Sequence, residues 1–164
     1  MVLGLDSESG TQNFEHRTSN FELKVMLRTL IIDDEPHIRD TLTKLLRLCC
    51  QNIDIIGEAA GVSNGVKKIL ELHPDLVFLD INLRDGTGYD LIHTLQPIGF
   101  KIIFISSFDQ KAVQAFKLSS VAYMQKPFNP VELIEAIKQV ENMEVKDFDL
   151  CLEALEENIR EGGS

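Results

Sequence analysis

The chain has 164 residues, of which 44% are hydrophobic and 26% charged, a composition that fits one globular domain with a single buried core. It carries 26 acidic and 16 basic side chains for a formal charge of −10, so it lacks the basic surplus that neutralises phosphates in a nucleic-acid binder and is not expected to hold DNA or RNA by itself. No apolar run approaches the roughly 20 residues that span a bilayer, and Met1-Val2-Leu3-Gly4 begins no basic-then-apolar signal segment, which points to a cytoplasmic chain without a membrane partner.

Residues 1–25 are polar, with Phe14 and Phe21 as isolated anchors. They read as a flexible leader, because they offer too little apolar surface to offset the entropy of ordering. From Leu27 onward, short continuous apolar runs alternate with segments of helical spacing. Leu30-Ile31-Ile32 precedes Ile38, Leu42, Leu45 and Leu46; Ile53 to Ile56 precedes Val62, Val66, Ile69 and Leu70. The unit recurs at Leu76–Leu79 with Leu91, Ile92 and Leu95, at Ile102–Ile105 with Val113 and Phe116, and at Val121–Met124 with Leu133, Ile134, Ile137 and Val140.

Five strands therefore alternate with five helices over residues 26–142. Strands apolar on consecutive residues are buried on both faces, as in a parallel sheet covered by helices. The expectation is an open, doubly wound five-stranded α/β sheet. Helix signals agree: Pro36 lies in a first turn, Asp109 can cap the fourth helix, and Asn129-Pro130-Val131-Glu132 has the form of a capping box.

Beyond Glu141 the period changes. Val145, Phe148, Leu152, Leu155 and Ile159 follow three-four spacing over two heptads, and eight acids (Glu141, Glu144, Asp147, Asp149, Glu153, Glu156, Glu157, Glu161) stand against Lys146 and Arg160. Residues 143–164 read as an acidic helical linker, leaving open whether its stripe folds back on the domain or faces a second chain or domain.

Open α/β sheets bind ligands beyond the carboxyl ends of their strands. There the first strand ends in Asp33-Asp34-Glu35, the third in Asp80, the fourth in Ser106-Ser107, and the fifth is followed by Lys126-Pro127. Carboxylates converging on one crevice repel unless a cation joins them, and an all-oxygen set suits magnesium better than zinc. Lys126 and Ser106 could then meet a phosphoryl group, leaving one aspartate as nucleophile.

Leu30-Ile31-Ile32-Asp33-Asp34-Glu35-Pro36, Leu79-Asp80-Ile81-Asn82-Leu83, Ile105-Ser106-Ser107 and Tyr123-Met124-Gln125-Lys126-Pro127-Phe128 together resemble the receiver domain of two-component response regulators. Ile105 to Val113 and Phe148 to Glu161 further resemble the LytTR class (LytR/AlgR). The resemblance implies a flavodoxin-like fold with strand order 2-1-3-4-5. It implies a phosphoacceptor at Asp80, Mg2+ on Asp33, Asp34 and Asp80 with the backbone carbonyl of Asn82, a switch pair at Ser106 and Tyr123, and a phosphate-pairing Lys126 before a cis proline. It also implies a sensor histidine kinase as partner, a homodimer on phosphorylation, and DNA contact only through an output domain outside this chain. Such a domain is no enzyme in the ordinary sense, catalysing only its own phosphorylation and dephosphorylation. Arg84 and Phe108 depart from the family's usual residues.

Two other readings compete. An aspartate-nucleophile phosphatase would want a second acid two residues after the nucleophile, where Asn82 stands; a stand-alone receiver would serve as an interaction module. The remaining motifs read as structural. His16, His37, His73 and His93 share no metal spacing, Gly86-Thr87-Gly88 reads as a turn, and the three cysteines read as reduced thiols.

Overall fold

The computed structural model describes residues 25–162 apart from Phe108. The expected leader therefore lies almost entirely outside the described residues, as does the departure noted at Phe108. Five long strands form one parallel sheet: β1 (Leu27–Ile32), β2 (Ile53–Ala59), β3 (Leu76–Asp80), β6 (Lys101–Ser106) and β7 (Tyr123–Gln125), in the order β2-β1-β3-β6-β7. This is the expected 2-1-3-4-5 order. A short antiparallel hairpin, β4 (Asn82–Leu83) and β5 (Gly86–Thr87), interrupts the count after β3.

All five residues of β3 are buried. Because successive strand side chains point to opposite faces, both faces of the central strand must be covered. The helices that cover them are α1 (Pro36–Cys49), α2 (Val62–Leu72), α3 (Gly88–Leu95), α4 (Gln110–Leu118) and α5 (Pro130–Glu141). Each strand is followed by a helix, as parallel pairing requires of its crossovers.

Local signals set the helix starts. Pro36 occupies the first turn of α1, where its missing N–H costs nothing. Asp109 Oδ1 accepts from the Lys111 and Ala112 N–H groups at the head of α4, and Asn129 Oδ1 accepts from Val131 N–H at the head of α5. The expected capping box at Asn129 is only half formed, since Glu132 Oε1 instead accepts from Gln125 N–H at the end of β7. A complete box occurs elsewhere: Thr87 Oγ1 accepts from Asp90 N–H at 3.1 Å, and Asp90 Oδ2 accepts from Thr87 N–H at 2.8 Å.

The last helix, α6 (Val145–Gly162), turns its heptad stripe onto its own domain. Phe148, Leu152 and Leu155 are buried with Phe78, Phe104 and Phe116 in one core. Phe104 stacks on Phe116 at 5.2 Å between ring centroids, and Phe116 on Tyr123 at 5.3 Å. No helix among the described residues is long and apolar enough to cross a membrane.

Candidate functional site

Register brings the candidate residues to one edge. Ile32 pairs with Leu79, Asp80 with Ile105, and Ser106 with Gln125, so the residues that end or follow four parallel strands meet beyond the same rim. Asp33 N–H donates to Ala59 O on β2, which fixes the chain as it leaves β1. Asp33, Asp80 and Ser106 are all buried.

Asp33, Asp34 and Asp80 each offer a carboxylate oxygen within 4.8 Å of the others. Lys126 Nζ stands 2.7 Å from Asp33 Oδ2 and 3.0 Å from Asp80 Oδ2. Asp33 Oδ1 accepts from Glu35 N–H at 2.8 Å, and Asp80 Oδ1 from Asn82 N–H at 3.3 Å. Asp33 Oδ2 is fully buried and has no well-aligned hydrogen bond; its charge is met by the Lys126 ammonium alone among the described residues. Three acids and one ammonium leave the pocket electron-rich, with an oxygen-only donor set that fits a hard divalent cation.

The strands also fix the lysine and the hydroxyl relative to one another. Lys126 N–H donates to Ser106 O at 2.8 Å, and the Lys126–Pro127 bond is cis. Tyr123, two strand positions before Gln125, is half-buried with its ring on Phe116. Arg84 leans toward the rim, with Nε 4.0 Å from Asp34 Oδ2.

Electrostatics follow the crowding. Burial, then the neighbouring Asp33, pushes the Asp80 carboxyl up to about 6, against the opposing pull of Lys126. Burial works against the charged form of Lys126, yet its contacts with Asp33 and Asp80 hold its ammonium above the ordinary lysine value. Burial and the nearby Asp109 push the Tyr89 phenol up to about 12.

Gly88 belongs to the site although its sequence reads as part of a turn. A Cβ there would stand 2.7 Å from the Asp80 carbonyl oxygen, so only glycine lets α3 begin against the backbone of Asp80. Gly88 N–H also donates to Ile81 O at 2.8 Å. Nothing in the local sequence shows this close approach. The histidines stay outside the pocket: His37 pairs with Glu35, His73 ends α2 in a left-handed conformation, and His93 pairs with Glu156, while His16 lies outside the described residues.

Sheet order and covered faces define a flavodoxin-like α/β domain. The response regulator receiver domain family matches residues 29–138, and the chain belongs to that family. An uncharacterized response regulatory protein of Vibrio vulnificus is 42% identical over 116 residues, 70% of this chain and 48% of that protein. The transcriptional regulatory protein LytR of Staphylococcus aureus is 37% identical over 123 residues, 74% of this chain and 50% of that one. The sensory transduction protein LytT of Bacillus cereus is 35% identical over 116 residues, 70% and 47% of the two chains. The chain thus spans about half the length of the curated relatives it matches. Among solved structures, the receiver domain of Erythrobacter litoralis PhyR matches with a TM-score of 0.63 at 27% identity, over 73% of this chain and 93% of that one. Receiver domains are signalling domains that bind Mg2+ in an acidic pocket and take their phosphoryl group from histidine kinases.

Proposed function

We propose that this chain is the phosphorylation-controlled half of a LytTR-type transcription regulator and that Asp80 is its phosphoacceptor. One observation carries the reading: Asp33, Asp34 and Asp80 converge within 4.8 Å while Lys126 bridges Asp33 and Asp80. Asp33, Asp34, Asp80 and the carbonyl of Asn82 would hold Mg2+, which when bound supplies positive charge against the phosphoryl oxygens. An Asp80 carboxylate oxygen attacks the phosphorus, the bond from phosphorus to the donor's imidazole nitrogen or acyl oxygen breaks, and the donor leaves with that electron pair.

Lys126, already 3.0 Å from Asp80, then pairs with the transferred group. Ser106 moves toward a phosphoryl oxygen and Tyr123 turns into the space it leaves, so one local charge biases a two-state element. The partner is a sensor histidine kinase, met by this chain in the cytoplasm. The phosphorylated form pairs with a second copy, and DNA is met through an output domain outside the described residues. The likeness to LytR and LytT over their receiver-length portion supports this output class. Asn82, where a phosphatase would need a general acid, supports a stable acyl phosphate over turnover.

Incubation with radiolabelled acetyl phosphate and Mg2+ tests the assignment. One phosphoryl group per chain is expected, lost on Asp80→Asn and on chelation of the metal. Labelling that survives either change overturns it.

A further inference from the structure

Helix α2 begins without a cap of its own. The first N–H groups of a helix have no partner within it, and Gly61, the residue before α2, has no side chain to meet them. The partner comes from 23 residues further along the chain: Asp85 Oδ1 accepts from Val62 N–H at 2.7 Å, and Asp85 Oδ2 from Ser63 N–H at 3.0 Å. Both bonds are charge-assisted, and the carboxylate sits at the positive end of the helix dipole. Gly61 makes room for it, since a Cβ there would stand 2.5 Å from Asp85 Oδ1.

Asp85 lies in the turn of the β4–β5 hairpin, whose ladder has only two residue pairs, Asn82 with Thr87 and Leu83 with Gly86. A two-stranded hairpin is marginal in water without further support. At its near end Leu83 is buried and Gly88 N–H donates to Ile81 O; at its tip the Asp85 carboxylate ties it to α2. Asp33, Asp34 and Asp80 end or follow strands of the main sheet, so Asn82 alone among the proposed metal ligands rides on the hairpin. Mg2+ demands near-octahedral placement of its oxygens, and a ligand whose backbone must first be ordered takes that cost out of the binding free energy.

We propose that Asp85 is a positioning residue for the metal: by capping α2 from the hairpin turn it fixes the hairpin, and with it the Asn82 carbonyl, before Mg2+ arrives. The proposal rests on the reading of Asp33, Asp34, Asp80 and Asn82 as the Mg2+ site. Its two parts are separable, because a side chain at position 61 can cap α2 but cannot hold the hairpin.

The whole chain without a phosphodonor is the material for the test. Calorimetric titration with Mg2+ reads affinity, and amide exchange of the metal-free chain reads order over residues 62–66 and 82–87. Asp85→Ala is expected to raise the Mg2+ dissociation constant about three- to tenfold, at or below the low end of the cost of losing a group that touches a ligand directly, and to speed exchange in both segments. Adding Gly61→Ser supplies a cap to α2 once the Asp85 carboxylate is gone, with Gly61→Asn in its place where serine leaves residues 62–66 fast. Exchange over 62–66 is then expected to return to the wild-type rate, while affinity and exchange over 82–87 stay as in Asp85→Ala. Affinity or hairpin exchange that Asp85→Ala leaves unchanged, or affinity that the new cap restores, reduces Asp85 to a helix cap and overturns the proposal with the metal site intact. A wild-type chain that takes up no Mg2+ overturns the metal assignment itself, and the proposal falls with it.

Discussion

Asp80 as the proposed phosphoacceptor faces two opposed demands, a pocket tight enough to crowd its charge and open enough to admit a phosphoryl donor. Its carboxyl is pushed up to about 6 without a cation, so between about pH 4 and 6 the folded chain binds a proton that the unfolded chain has released. Stability therefore falls as pH rises through that window and stays lowered above it. Asp80→Asn removes the repulsion with Asp33, and in chelator at pH 7 it is expected to stabilise the fold by about 1 kcal/mol, allowing for screening by Lys126 and solvent. Thermal midpoints should show the gap closing toward pH 4; a variant no more stable at pH 7 contradicts the crowding. Gly88→Ala acts in the other sense. Its Cβ would strike the Asp80 carbonyl, costing about 1–3 kcal/mol by overpacking, and shifts Asp80 enough to slow labelling, both measurable by urea titration and by uptake from acetyl phosphate.

At the scale of elements, the helix starts show what local sequence can and cannot settle. Asp109 and Asn129 cap as their residue types suggest. Glu132 has the right position for a box but is captured by Gln125 N–H, because the end of β7 lies within its reach. The box at Thr87 and Asp90 hides in a stretch whose flanking glycines, Gly86 and Gly88, read as turn. Thr87→Ala should cost about 1 kcal/mol as a lost cap, read from the urea midpoint. The strands were legible because both-face burial leaves unbroken apolar runs, and Asp33, Asp80, Ser106 and Lys126 were legible because they end or follow those runs. The docking face of α6 was not. A three-four stripe has the same spacing whether it meets its own domain or another chain, and the deciding partners, His93 and Ser119, lie 63 and 39 residues away from their contacts Glu156 and Asn158.

For the whole molecule, the proposed switch predicts a change of assembly. Sedimentation velocity with beryllofluoride and Mg2+ is expected to shift wild type from monomer toward dimer, and to leave Asp80→Asn unchanged; a variant that dimerises equally well places the interface outside phosphate control. The parallel sheet has a further consequence. Lys126 meets Asp80 across 46 residues of chain, and Asp33 joins them only because β1 sits between β2 and β3. Such distant pairings form late, after the entropy of closing long loops has been overcome. The pocket cannot exist in a chain whose sheet is half assembled. Under the proposed function, acceptance of a phosphoryl group would double as a quality check on folding, and a labelling count taken during refolding would number the molecules that have completed their last strand.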